Sequence, residues 1–62
     1  MKLYVAGEHI ETGRTVICSS IDGKAYRAGS HAGAFIGNAA EELREGFRVC
    51  VRDGGSVYED DA

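Results

Sequence analysis

The chain predicts a small all-β, barrel-like domain of two pseudo-symmetric halves, with short turns and at most one helical turn near 39–45. Three observations carry this expectation. A pattern is written twice: Ala6, Glu8, Ile10, Gly13, Val16 and Cys18 recur 33 positions later as Ala39, Glu41, Leu43, Gly46, Val49 and Val51. Each copy runs into a glycine turn and a short strand, Asp22-Gly23-Lys24-Ala25-Tyr26 in the first and Gly54-Gly55-Ser56-Val57-Tyr58 in the second, with a one-residue gap between them. Sixty-two residues make a single domain, and two copies are too few for a solenoid, so the half-repeats, about 3–28 and 35–59, must share one core.

Taken in order, Lys2 to Ala6 is rich in β-formers and predicts a first strand, with Leu3 and Val5 facing one way and Tyr4 the other. Gly7 to Gly13 reads as a polar turn pinned by Ile10, with Gly13 supplying a positive φ. Thr15 to Ser20 is a β-branched strand. The Asp22-Gly23 pair marks a tight hairpin, and Lys24 to Ala28 returns as the third strand. Gly29 to Gly33 reads as a mobile surface loop joining the halves. Ala34 to Asn38 is a fourth strand. Ala39 to Glu45 has a helix-forming composition, but its repeat partner is a poor helix former, so one turn is the most expected there. Phe47 to Arg52, the turn at Asp53–Ser56 and a last strand at Val57–Glu59 complete the second half.

The repeat also assigns faces. Val16, Cys18, Val49 and Val51 are expected in the core with Leu3, Val5, Ile10, Ile36, Leu43 and Val57. Ile17 and Cys50 are thrown to the other side among Thr15, Ser19, Arg48 and Arg52. No proline guards a strand, so open sheet edges that another subunit would cover are expected.

Composition narrows the function classes. Seven basic residues are scattered among ten acidic ones, for a net charge of −3, whereas nucleic-acid binding depends on clustered Lys and Arg. No nucleic-acid partner is expected. The apolar run at the N-terminus is far shorter than a signal peptide or membrane span, which predicts a soluble chain with no membrane partner, made in a cytoplasm. A core this small supplies about 3–5 kcal/mol, and two cysteines do not make a disulfide scaffold. Self-association is the expected source of the missing stability.

Reaction chemistry is not written in the chain, and neither a metal nor a cofactor is expected. His9, Cys18, His31 and Cys50 are the ingredients of a zinc site, but the nearest two lie nine positions apart, against the close pairs of structural zinc sites. Cys18 and Cys50 are expected on different faces, which prevents a bridge. Cys50 between Arg48 and Arg52 has the electropositive setting of a reactive thiol, yet any strand of this composition places those three together. A partly buried cysteine at a subunit contact is the better reading. The glycines of Gly29–Gly33 match neither phosphate-loop fingerprint. Lys24 after Asp-Gly is loosely similar to the hairpin lysine of lipoyl and biotinyl carriers, though only half of their motif context is present. Candidate interface residues are therefore Tyr4, Ile17, Tyr26, Phe35, Arg48, Cys50 and Tyr58, since aromatic anchors dominate interfaces.

The succession A-G-E-x-I-x-x-G-x-x-V, D-G-K-A-Y-R-A, F-I-G-N-A-A-E-E-L-x-x-G-x-x-V-x-V and G-G-x-V-Y covers nearly the whole chain. It resembles the small β-clip-like decoration, or cement, proteins on the heads of tailed bacteriophages. The resemblance implies a homo-oligomer, commonly a trimer, assembled in the host cytoplasm and bound on the virion to the outside of the capsid. Its partner would be the major capsid protein, whose neighbouring subunits it locks together. It brings no catalytic residue. Gly13, Gly46, Val16 and Val49 match the pattern as structural positions, and the long N-terminal arm of many relatives has no counterpart. A small protein-binding regulator of phage or host origin is the second expectation, and a carrier domain modified on Lys24 the third.

Overall fold

The structure is a computed structural model and describes residues 2–60. It is all-β. Strands β1 (Leu3–Val5), β2 (Thr15–Ser19), β3 (Ala25–Arg27), β4 (Gly33–Ala39), β5 (Arg48–Arg52) and β6 (Ser56–Glu59) form one mixed sheet in the order β1-β5-β6-β4-β2-β3. Among these strands β4 and β6 pair in parallel and the other neighbours antiparallel. No helix forms among the described residues. The 39–45 stretch is instead held open by a reciprocal pair at its centre, because Ile10 N–H donates to the Leu43 carbonyl and Leu43 N–H to the Ile10 carbonyl, each at 2.8 Å. Those two long-range bonds override the local helix propensity.

The written repeat is a structural one. The Ala6 N–H donates to the Phe47 carbonyl and, 33 positions on, the Ala39 N–H donates to the Arg14 carbonyl. Gly13 N–H reaches the Ala39 carbonyl as Gly46 N–H reaches that of Ala6, and both glycines hold positive φ, 90° and 85°. Pairing of β2 with β3 (Val16↔Arg27, Ile17↔Tyr26, Cys18↔Ala25) reappears between β5 and β6 (Val49↔Glu59, Cys50↔Tyr58, Val51↔Val57). Val16 thus maps to Val49 with the offset of 33, whereas Ala25 maps to Val57 with one residue fewer. The gap seen in the sequence is the difference between the two hairpin turns. Even the repeated carboxylates match: Glu8 accepts from the Arg27 N–H at 2.8 Å and Glu41 from the Glu59 N–H at 2.9 Å.

One cluster of buried side chains sits on the pseudo-dyad. It contains Ala6, Ile10, Val16, Ala25, Ala39, Leu43, Val49 and Val57, with Tyr4, Ile36 and Val51 packed against it. Two expected core residues are outside: Leu3 is 48% and Val5 37% exposed. Tyr4, expected outward, faces the core. The register explains the inversion, since Tyr4 lies opposite buried Val49 and cross-strand partners share a face. Cys18 and Val51 are half-buried rather than central.

Ile17 and Cys50 do lie outside that cluster, as alternation requires, but both are buried. Each occupies a middle strand with bulky partners on both sides. Ile17 is flanked by Tyr26 and Phe35, and Cys50 by Tyr58 and Leu3. The expected open edges are also narrower than the sequence implies. Sheet ends β1 and β3 meet at an Ala6↔Ala25 bridge, where Gly7 N–H donates to the Ala25 carbonyl at 2.8 Å. The sheet closes on itself there, which leaves only a seam. The joining stretch at 29–33 is partly ordered pairing: Ala28 bridges His31, and β4 begins at Gly33.

Candidate functional site

The outer face carries two matched rows of large side chains, set by the middle-strand geometry. Phe35, Ile17 and Tyr26 cross β4, β2 and β3; Leu3, Cys50 and Tyr58 cross β1, β5 and β6. Five of the seven residues singled out from the sequence are therefore brought together in these rows. Phe35 is 65% exposed and Tyr26 and Tyr58 are half-buried, so the rows present aromatic surface over a covered centre. Tyr4 belongs to the interior. Arg48 is exposed at the start of β5, opposite Val5.

The two tyrosines of the rows are held by their neighbours. The Tyr26 ring stacks on His31 with centroids 3.8 Å apart and 20° between planes, and its hydroxyl donates to Asp22 at 2.6 Å. Gly7 lies beneath the ring; a Cβ there would collide with it, so only glycine lets the tyrosine lie flat. Arg52 lies 4.3 Å over the Tyr58 ring, a cation–π contact. Asp22 is held below the ordinary carboxylate range, first by the Tyr26 hydroxyl and then by the Lys24 N–H. The same bond pushes the Tyr26 hydroxyl up.

A polar network beside the first row escaped the sequence reading. Glu8 joins the Arg27 side chain at 3.2 Å and the Ser30 hydroxyl at 3.4 Å, while the Ser30 Oγ lies 3.0 Å from His31 Nδ1 and 2.9 Å from the Arg27 carbonyl. The group has the residue types of a serine nucleophile with a base, but not its wiring. The carboxylate engages arginine rather than orienting the imidazole, and the single hydroxyl proton is contested by a carbonyl, a carboxylate and a ring nitrogen. Its effect is to tie the 27–31 corner to the first turn. The Glu8 of the repeated A-x-E pattern was the available signal.

His9 pairs with Glu42 at 2.7 Å across the pseudo-dyad, where Glu42 also accepts from the Thr12 N–H at 3.1 Å. No cluster of three or more His, Cys, Asp or Glu side chains suited to a metal occurs among the described residues. Both cysteines are free thiols, and the Cys18 thiol donates to the Gly23 carbonyl. The seam between β1 and the Asp22-Gly23-Lys24 turn opens into a groove of about 360 Å³ that Arg48 also lines. Lys24 stands on that rim, at the turn tip that the carrier comparison singled out.

No protein-family model, curated protein or solved structure matches the chain.

Proposed function

We propose that the protein is a decoration protein of a viral capsid, bound as a homo-oligomer, with a trimer favoured, to the outside of a tailed-phage head. The observation that carries this reading is the amount of large apolar surface left in water. Phe35, Leu3, Phe47 and Val5 are 65%, 48%, 43% and 37% exposed, and Ile21 is 91% exposed, in a domain with five large side chains fully buried. Scattered exposed apolar groups are ordinary. Here, Phe35 and Leu3 each end a cross-strand row that also carries a half-buried tyrosine, surface that an assembly would cover. The succession of glycine and apolar positions that resembles the head-decoration proteins coincides with the dyad-related framework of the fold, which supports the same reading.

The mechanism is thermodynamic. A protein that binds the assembled shell and not its free subunits stabilises the shell by mass action, and contacts repeated over a symmetric surface act together. No bond is made or broken. The test is the composition of phage particles produced with and without the gene, measured by mass spectrometry and by the temperature at which heads release DNA. A fixed ratio to the major capsid protein and a lowered release temperature in the deletion are expected. Particles that lack the chain, with unchanged release temperature, would overturn the proposal.

A further inference from the structure

The chain contains two Asp-Gly pairs, Asp22-Gly23 and Asp53-Gly54, exposed in the hairpin turns of the two halves. Such a pair is open to internal attack, because glycine places no Cβ beside the nitrogen that follows the aspartate. Sequence and exposure do not distinguish the two pairs. Their hydrogen bonds do.

At the first turn every group that the attack needs is engaged. One Asp22 oxygen accepts from the Tyr26 hydroxyl at 2.6 Å and the other from the Lys24 N–H at 3.0 Å. The Gly23 N–H, on the attacking nitrogen, donates to the Ser19 carbonyl at 3.0 Å. Reaction there must break all of these bonds. The same bonds keep the Asp22 side chain ionised, and a carboxylate is a poorer electrophile than the acid. At the second turn nothing corresponds. Among the described residues the Asp53 carboxylate accepts no hydrogen bond and makes no ion pair, and the Gly54 N–H has no acceptor. Neighbouring Arg52 lies over the Tyr58 ring instead. The bond that spans this turn, from Gly55 N–H to the Arg52 carbonyl at 3.0 Å, bypasses both residues. Asp53 holds φ 54°, a left-handed conformation that costs a residue with a side chain, so leaving it relieves strain. Nothing lies within 4 Å of the place a Cβ on Gly54 would take, which gives the turn room to rearrange.

We propose that Asp53 is a site of spontaneous isomerisation to isoaspartate and that Asp22 is protected from it. The Gly54 nitrogen adds to the Asp53 side-chain carbon, and the carboxyl hydroxyl and the amide proton leave as water. Solvent water then adds to the resulting succinimide at the former main-chain carbonyl and breaks its bond to nitrogen. The chain now runs through the side chain of residue 53, with its mass unchanged and no co-reactant but water. The longer path lies beside Gly55, whose carbonyl accepts from the Asn38 N–H at 2.8 Å where β6 closes on β4. Isomerisation therefore acts on the closure of the second half. The proposal does not depend on the capsid reading.

The test ages the folded chain at body temperature and mildly acidic pH. Asp-N peptidase, which cuts before aspartate but not before isoaspartate, and an isoaspartyl methyltransferase with labelled S-adenosylmethionine then report the product. Expected is a growing resistance to cleavage at Asp53 at constant mass, with isomerisation at least about tenfold faster there than at Asp22. In the urea-unfolded chain the two pairs are expected to react at similar rates. Tyr26→Phe, which removes one donor to Asp22, is expected to raise the rate at Asp22, and Asp53→Glu to abolish most of the methylation. Equal rates at the two pairs in the folded chain, a faster Asp22, or no isoaspartate at Asp53 would each overturn the site. A Tyr26→Phe chain whose Asp22 stays as inert as in the parent would overturn the assigned protection.

Discussion

Gly37 and Gly13 separate two uses of the same residue type. A Cβ at Gly37 meets the Gly55 backbone, which cannot move without opening the β4–β6 pair, whereas nothing lies within 4 Å of the position at Gly13. Gly37→Ala is expected to cost about 2–4 kcal/mol by overpacking and strain. Gly13→Ala carries only the backbone term at φ 90°, about 1 kcal/mol. Urea unfolding of the two variants checks the order; equal costs would contradict the close approach. At the same scale, Glu8 and Glu59 are held below the usual carboxylate range. The first cause is the side-chain hydrogen bond to Arg27 for Glu8 and to Arg44 for Glu59, with burial opposing in each case. A lowered folded pKa contributes stability that is fully present above the unfolded value near 4.5 and is lost as pH falls through the folded values. Glu8→Gln and Glu59→Gln are therefore expected to destabilise at pH 7 and to lose less than the parent on acidification to pH 3. An unchanged acid limb in both variants would refute the assignment.

At the scale of elements, the reciprocal bonds between Ile10 and Leu43 make their two turns one unit. Both side chains are fully buried in the shared cluster. Ile10→Val and Leu43→Val should each destabilise by about 1 kcal/mol, and together they should depart from additivity by about 0.5 kcal/mol or more, as touching residues do. Strict additivity in thermal or urea unfolding would place the two in separate environments. This is also where the sequence was most informative. Strand count, the turns at Asp22-Gly23 and Asp53-Gly54, and the equivalence of Ile10 and Leu43 in one shared core were all readable, because a repeated pattern reports equivalent positions as well as propensities. The facing of β1 was not. Three residues alternate equally well in either sense, and only the long-range register against Val49 decides that Tyr4 turns inward. Burial of Ile17 and Cys50 was hidden for a related reason: alternation gives a side chain's direction but not the size of its cross-strand neighbours.

For the molecule as a whole, near-symmetry and its breakage divide the labour. Matched ladders, matched turns and matched glutamates build a closed sheet from two short copies, each too small to bury its own apolar face. The second half closes β6 against β4, whereas the first half has a groove between β1 and the Asp22-Gly23-Lys24 turn. The candidate site was correspondingly half legible: the aromatic residues of the rows could be named from the sequence. Their alignment and the seam could not, since both depend on which strands lie side by side.

Large apolar groups remain in water on a core that by itself supplies only a few kcal/mol, so association is expected to complete the stability of the fold. Thermal unfolding of the purified chain at nanomolar and at high micromolar concentration tests this directly. A melting temperature that climbs with concentration, alongside a mass in solution above that of one chain, is the predicted result; one melting temperature at every concentration would contradict it.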